Sequence, residues 1–251
     1  MSKYEDLRDN ALLSLRAYMD SLDEKKGTKL AYWIKDYSRF LNKESSFDPN
    51  KLIRYKRGSV VKVHLGYRVG SEEGGLHYAV VMDVDNSLGS PVTTVIPLTS
   101  VKEGKDIDNL HRSQVYLGNE LFDLLKAKVN RVIDETTALQ DNLMQKMQEA
   151  QQVPSVSDQE TENVAQRILA SAIQDKINEM RKKVCLCIKM ANEIDRMKRG
   201  SIALVGQITT VSKIRIYDPL FPSDTLNNIR LSPSSMDKLD NKIRELFTND
   251  K

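Results

Sequence analysis

The chain has 251 residues, 40% of them hydrophobic and 6% aromatic, with 38 Lys and Arg against 35 Asp and Glu, a net charge of +3. That length sustains a buried core in one or two domains. No apolar run approaches the roughly 18 residues of a membrane span, and so small a charge excess does not by itself imply nucleic-acid binding.

The first elements are two helices over residues 3–41. Leu7, Ala11, Leu15, Tyr18 and Leu22 recur at helical spacing, and Ser2 with Glu5 forms a capping box. The spacing predicts a break at Lys25-Lys26-Gly27 and a second stripe of Leu30, Trp33, Ile34, Tyr37 and Leu41. Residues 45–50 read as a turn-rich linker, because Pro49 disfavours helix at the residue before it. From Gly58 the period drops to two. Val61, Val63 and Leu65 alternate with Lys62, His64 and Gly66, the pattern of a half-buried strand that puts His64 on the Lys62 side, solvated or RNA-facing. Residues 79–82, 93–96 and 114–117 are further short strands.

Residues 119–198 return to a long helical period. One stripe runs from Leu121 and Leu125 to Leu143 and Met147, and a second from Ile168 to Ile194. Val153-Pro154-Ser155 supplies the turn between them and Ser157 with Glu160 a cap, so the pattern predicts an antiparallel helical hairpin. Strand chemistry resumes at 201–205 and 208–217, and Ser232-Pro233 opens a closing helix. The expected organisation is an N-terminal helical extension (1–50), a β domain in two blocks (51–118 and 199–251) and an inserted hairpin (119–198). Excising 121–197 is expected to leave the β domain folded.

The charge excess is local. Segments 1–50 and 119–198 balance at nine against nine and twelve against thirteen, whereas 51–118 holds nine basic against seven acidic residues and 199–251 eight against six. A basic face of Arg57, Lys62 and Arg68 with Lys213 and Arg215 is therefore expected. Two cysteines, Cys185 and Cys187, cannot build a disulfide framework, which fits a reducing cytoplasm. They point about 200° apart on a helix and cannot share a metal, so burial is expected of both.

The run from Arg57 to Asp83, RGSVVKVHLGYRVGSEEGGLHYAVVMD, resembles the opening of the MazF/PemK-like toxins. That family begins with Arg-Gly and a strand, then a loop bearing Gly-Ser-Glu, here Gly70-Ser71-Glu72-Glu73-Gly74-Gly75, and a Val-rich strand. Pro97-Leu98-Thr99-Ser100 falls where the family's next strand ends, and SIALVGQITTVSKIRI looks like its later strand pair. The resemblance implies an α+β fold: an SH3-like small β-barrel, here interrupted by the hairpin, and commonly a cytoplasmic homodimer held in check by an antitoxin. It also implies metal-independent, cofactor-free cleavage of single-stranded RNA, in which the ribose 2′-OH displaces the 5′-oxygen. Such chemistry needs proton transfer and donors for the charged phosphorane.

The family's catalytic Arg, followed by Pro, is replaced by His77-Tyr78, whereas its Thr is kept as Thr99. His77 and Thr99 are thus the catalytic candidates, with Glu72 to orient the loop. Arg57, Lys62, Arg68, Gly70, Ser71, Gly75, Ser100, Gln207 and Lys213 are the substrate-binding candidates. An imidazole suits proton transfer near neutral pH but is a poorer fixed cation than Arg. A non-catalytic barrel that docks RNA or a protein, with the hairpin as assembly device, is the alternative. Trp33, Tyr32, Tyr37 and Phe40 are expected to form core at helical spacing, although such rings also stack bases.

Overall fold

The computed structural model describes residues 2–151 and 159–249. Helix α1 (Lys3–Asp20) starts with the expected capping box: Ser2 accepts from the Glu5 backbone at 3.3 Å and donates back to the Glu5 carboxylate at 2.7 Å. It buries no residue. Helix α2 (Glu24–Glu44) begins before the expected Lys-Lys-Gly break. Asp23 caps it by accepting from the Lys26 backbone at 2.9 Å, which leaves Gly27 inside the helix. Its Leu30 and Phe40 are buried.

Seven strands form one antiparallel sheet: β1 (Val60–His64), β2 (Leu76–Val81), β3 (Val92–Ser100), β4 (Gln114–Gly118), β5 (Ser201–Leu204), β6 (Thr209–Ser212) and β7 (Ile216–Asp218). The order is β4-β5-β3-β2-β1-β7. β3 is long enough to hold two neighbours on one side: Leu98–Ser100 pairs with β5 and Val92–Val95 with β6. β4 and β7 stay unpaired with one another, so the expected barrel is a bent sheet that does not close. The expected strand over 208–217 is split into β6 and β7 by a 3₁₀ turn at Lys213–Arg215.

Alternation along β1 and β2 feeds two cores. Val61, Val63, Ala79 and Val81 meet Tyr55, Val95, Val211 and Ile216 on one face. Val60, Val80, Ile96 and Leu98 face the other way, against Leu117, Leu226 and Leu239. β1 is therefore covered on both sides rather than half-buried. Lys62 and His64, expected on the outer side of the strand, lie under helices instead: Lys62 meets Glu193 of the hairpin and His64 packs on Trp33.

Helices α3 (Glu120–Gln151) and α4 (Gln159–Arg196) connect β4 to β5. They run antiparallel: Leu121 lies near Met197, and further out the Glu135 carboxylate meets Lys183 at 2.6 Å. The expected turn at 153–155 and the Ser157 cap lie outside the described residues. The base of this hairpin is not separate from the β domain. Leu121 and Leu125 are core members, and the fully buried Met190 sits on α4. Lys128 donates to three carbonyls of the 224–227 loop, at 3.0, 2.8 and 2.8 Å. Excision at 121 and 197 would take Leu121 and Leu125 out of that core. The outer part is solvated: Met144, Ile168 and Ile188 are exposed, as is Cys185, while Cys187 is half-buried. Both thiols escape the burial expected of them because this stretch of α4 has only α3 to pack against. Helix α5 (Pro233–Phe247) closes the chain over the second core. Among the described residues no helix is long and apolar enough to cross a membrane.

Candidate active site

The loop between β1 and β2 is held shut at its base. Leu65 N donates to Gly75 O and Gly75 N to Gly66 O, both at 2.7 Å. Glycine is required here. Gly75 has φ +88°, and a Cβ on Gly74 would meet Gly66 O at 2.8 Å. Gln207, just beyond β5, clamps the loop from the other side: its Oε1 accepts from Glu73 N and its Nε2 donates to Ser71 O at 3.1 Å. Gln207, Ser71, Gly70 and Gly75 are thereby parts of one folded loop, over a groove of about 450 Å³ that Arg68 and Glu72 also line.

This loop delivers Glu73 to His77. Glu73 Oε1 lies 3.0 Å from His77 Nε2, and His77 Nδ1 lies 3.2 Å from Leu98 O. A carbonyl only accepts, so Nδ1 carries a hydrogen. The ring donates to both partners only as the imidazolium. Glu72, the acid expected to serve the site, is largely exposed and meets only Arg68, at 3.8 Å. Glu73 was missed because adjacent acids in a glycine-rich loop look alike until the loop's path is known.

His77 and Thr99 line one cleft of about 160 Å³, at adjacent positions on β2 and β3. Ser100, Lys62 and Lys198 share it, and Lys198 forms no ion pair among the described residues. Nothing in the sequence singled out Lys198. It follows α4, and the pairing of β5 with β3 returns it beside Thr99 and Ser100.

Most members of the expected basic face are engaged by internal acceptors. Arg57 bonds Met82 O and the Asp240 carboxylate, which pins α5. Lys62 and the Tyr78 hydroxyl both reach Glu193 on α4. Burial pushes the Glu193 carboxyl up, but these two hydrogen bonds and the Lys62 charge outweigh it and hold the group below its usual range. Lys213 is buried, donates to Ser87 O at 3.0 Å, and has its titration lowered by desolvation. Arg215 donates to His64 O at 2.8 Å. Arg68 lines two grooves, and its Nε donates to Leu65 O at 2.7 Å.

His64 is not in solvent. It stacks on Trp33 at 4.7 Å, its Nδ1 accepts from Gly66 N at 3.0 Å, and burial holds it below the usual imidazole range against the opposing pull of Asp36. Asp36 in turn accepts from the Tyr217 hydroxyl at 2.8 Å. Trp33 and Phe40 thus dock α2 on the sheet as expected, whereas Tyr32 and Tyr37 remain exposed.

A comparison with protein families decides the affiliation. Residues 56–171 match the family described as PemK-like, MazF-like toxin of type II toxin-antitoxin system. This segment belongs to the PemK/MazF-like toxins. The match begins beside Arg57-Gly58, contains the Gly70–Gly75 loop, His77 and Thr99, and runs on into α4. The N-terminal helices lie before it, and β5 to β7 with α5, which complete the sheet, lie after it. No curated protein matches the chain significantly. Among the described residues no group of three or more His, Cys, Asp or Glu is placed to hold a metal ion.

Proposed function

We propose that the protein is a toxin-type endoribonuclease that cuts single-stranded RNA by attack of a ribose 2′-oxygen on the adjacent phosphorus. As the P–O2′ bond forms the 2′-hydroxyl gives up its proton to solvent water, and the P–O5′ bond breaks, leaving a cyclic phosphate on one product and a 5′-hydroxyl on the other. The observation that carries this reading is the shared cleft of His77 and Thr99 within the family segment. His77, its Nδ1–H held by Leu98 O, serves as the imidazolium whose Nε2 proton, shared with Glu73 before the RNA binds, passes to O5′ as that oxygen leaves; its positive charge beside the phosphate takes the place of the family's Arg. Thr99, whose hydroxyl has no hydrogen-bond partner among the described residues, donates to a non-bridging phosphate oxygen, and Lys198 adds charge. Glu73 touches His77 and so lies at the same end of the in-line displacement. It orients the ring rather than acting from the opposite side.

The test is incubation of purified protein with mixed-sequence single-stranded RNA in EDTA, followed by end-group analysis. Cleavage with 5′-hydroxyl ends is expected, with a loss of about 10²–10⁴ in rate for His77→Ala. Thr99→Ala is expected to lower kcat with little change in RNA affinity, as befits a contact made mainly in the transition state. Metal-dependent cleavage leaving 5′-phosphates would refute the scheme, as would wild-type rates in His77→Ala. The family implies an antitoxin partner and a homodimer, and we extend both to this chain. A non-catalytic binding module is the second reading, favoured by the internal use of Arg57, Lys62, Lys213 and Arg215. It predicts RNA or protein binding with no cleavage in the same assay.

A further inference from the structure

His77 has a second neighbour besides the Thr99 cleft. On its other side opens a groove of about 500 Å³ between the sheet and the N-terminal extension. α2 supplies Lys29, Tyr32 and Trp33 to one wall, and the β1–β2 loop supplies Tyr67 and Arg68 to the other. The residues from α2 lie outside the matched family segment.

The chemistry of the wall is specific. Trp33 is already packed on His64 and Tyr37, with the Arg215 guanidinium 5.5 Å from its ring, so it is the scaffold. Tyr32 is not packed away: 64% of its surface is exposed. Lys29 lies one turn before it, exposed and without an ion pair among the described residues. Arg68 faces them across the groove, with exposed Glu72 as the single acid in the lining. Aromatic faces beside cations bind unpaired nucleotides irrespective of sequence, the base stacking and the phosphate meeting the cation.

We infer that this groove is a subsite for one or two unpaired nucleotides of the RNA strand, the base stacking on Tyr32 or Tyr67 and the phosphate lying between Lys29 and Arg68. The inference rests on the endoribonuclease reading for its substrate class. It extends the strand's path from the Thr99 cleft past His77 and onto α2, and it gives the N-terminal extension a role in binding.

Trp33 is the only tryptophan in the chain and stands in this wall, so its fluorescence reports occupancy directly. The probe is a mixed-sequence single-stranded oligonucleotide carrying 2′-O-methyl groups, which removes the nucleophile and prevents turnover, titrated into the full-length protein. A saturable change in Trp33 emission is expected. Tyr32→Ala and Tyr67→Ala should each weaken binding roughly five- to hundredfold, and Tyr32→Phe should restore it. Lys29→Ala should flatten the salt dependence by about 0.7 in log–log slope. Tyr4→Ala, exposed on α1, is the control and should bind like wild type.

Equal affinity of wild type, Tyr32→Ala and Tyr67→Ala would overturn the subsite, as would equal binding of a duplex. A partner protein whose capture depends on Tyr32 while oligonucleotide binding does not would overturn it too. The two readings fail separately. Tyr32-dependent binding without cleavage of unmodified RNA would refute the nuclease and leave the subsite standing. Cleavage with full affinity in both tyrosine variants would do the reverse.

Discussion

Replacing Glu193 tests how the hairpin is tied to the sheet. One carboxylate oxygen of Glu193 takes both the Lys62 ammonium from β1 and the Tyr78 hydroxyl from β2. The two charged side chains are only 26% and 18% exposed, so water replaces little of what is lost. Removing one partner of a fully buried pair costs about 3–5 kcal/mol, chiefly through the charge left behind. Scaled for partial exposure, Glu193→Ala should cost about 2–4 kcal/mol. Glu193→Gln keeps an acceptor for Tyr78 and should cost about 1–2 kcal/mol. At 2–4 °C per kcal/mol for a chain of this size, Glu193→Gln should lower Tm by about 2–8 °C at pH 7. The carboxyl is held below its ordinary value of 4.5, so its folded form binds protons less readily than its unfolded form. The stabilisation is therefore complete above about pH 4.5 and fades as the pH falls through the folded-state value. Thermal melts of wild type and Glu193→Gln should differ at pH 7 and converge in acid. A surface control, Glu179→Gln in the exposed pair with Lys176, should shift stability by less than about 1 kcal/mol. Identical melts at pH 7, or a gap that widens on acidification, would refute the assignment.

Leu125→Ala, at a fully buried position where α3 enters the core, should cost about 2–5 kcal/mol by denaturant unfolding, whereas Met144→Ala on the exposed part of the hairpin should stay within about 0.5 kcal/mol. Glu73→Gln should leave Tm near that of wild type but lower the RNA cleavage rate by up to about 10²-fold, with Glu73→Asp intermediate, because a displaced ring loses alignment rather than fold. Gly74→Ala should open the base of the β1–β2 loop, since the added methyl meets Gly66 O, and single-turnover assays should show slower cleavage while far-ultraviolet circular dichroism stays unchanged.

The sequence by itself determined the elements and their affiliation. The alternation from Val61 falls on β1, the apolar run at 79–82 on the end of a β2 that starts three residues earlier, and the Ser2–Glu5 box and the Ser232-Pro233 start cap helices where expected, because capping and alternation depend only on near neighbours. The glycine loop and Thr99 were legible for the same reason, since their order along the chain carries the family signal. Tertiary structure alone decided which polar side chains are free. Lys62, Lys213 and Arg57 look alike as charges in a strand-rich segment, yet each meets an acceptor at least 120 residues away in sequence or a carbonyl brought close by folding. The choice of Glu73 over Glu72 as the partner of His77 depends on the loop's reversal at Gly74-Gly75, and the arrival of Lys198 depends on β5 pairing with β3. Charge and periodicity are properties of a segment. Whether a charge faces water, an ion partner or a carbonyl is fixed by contacts distant in sequence, and those exist only after the sheet, the hairpin base and α2 have packed together.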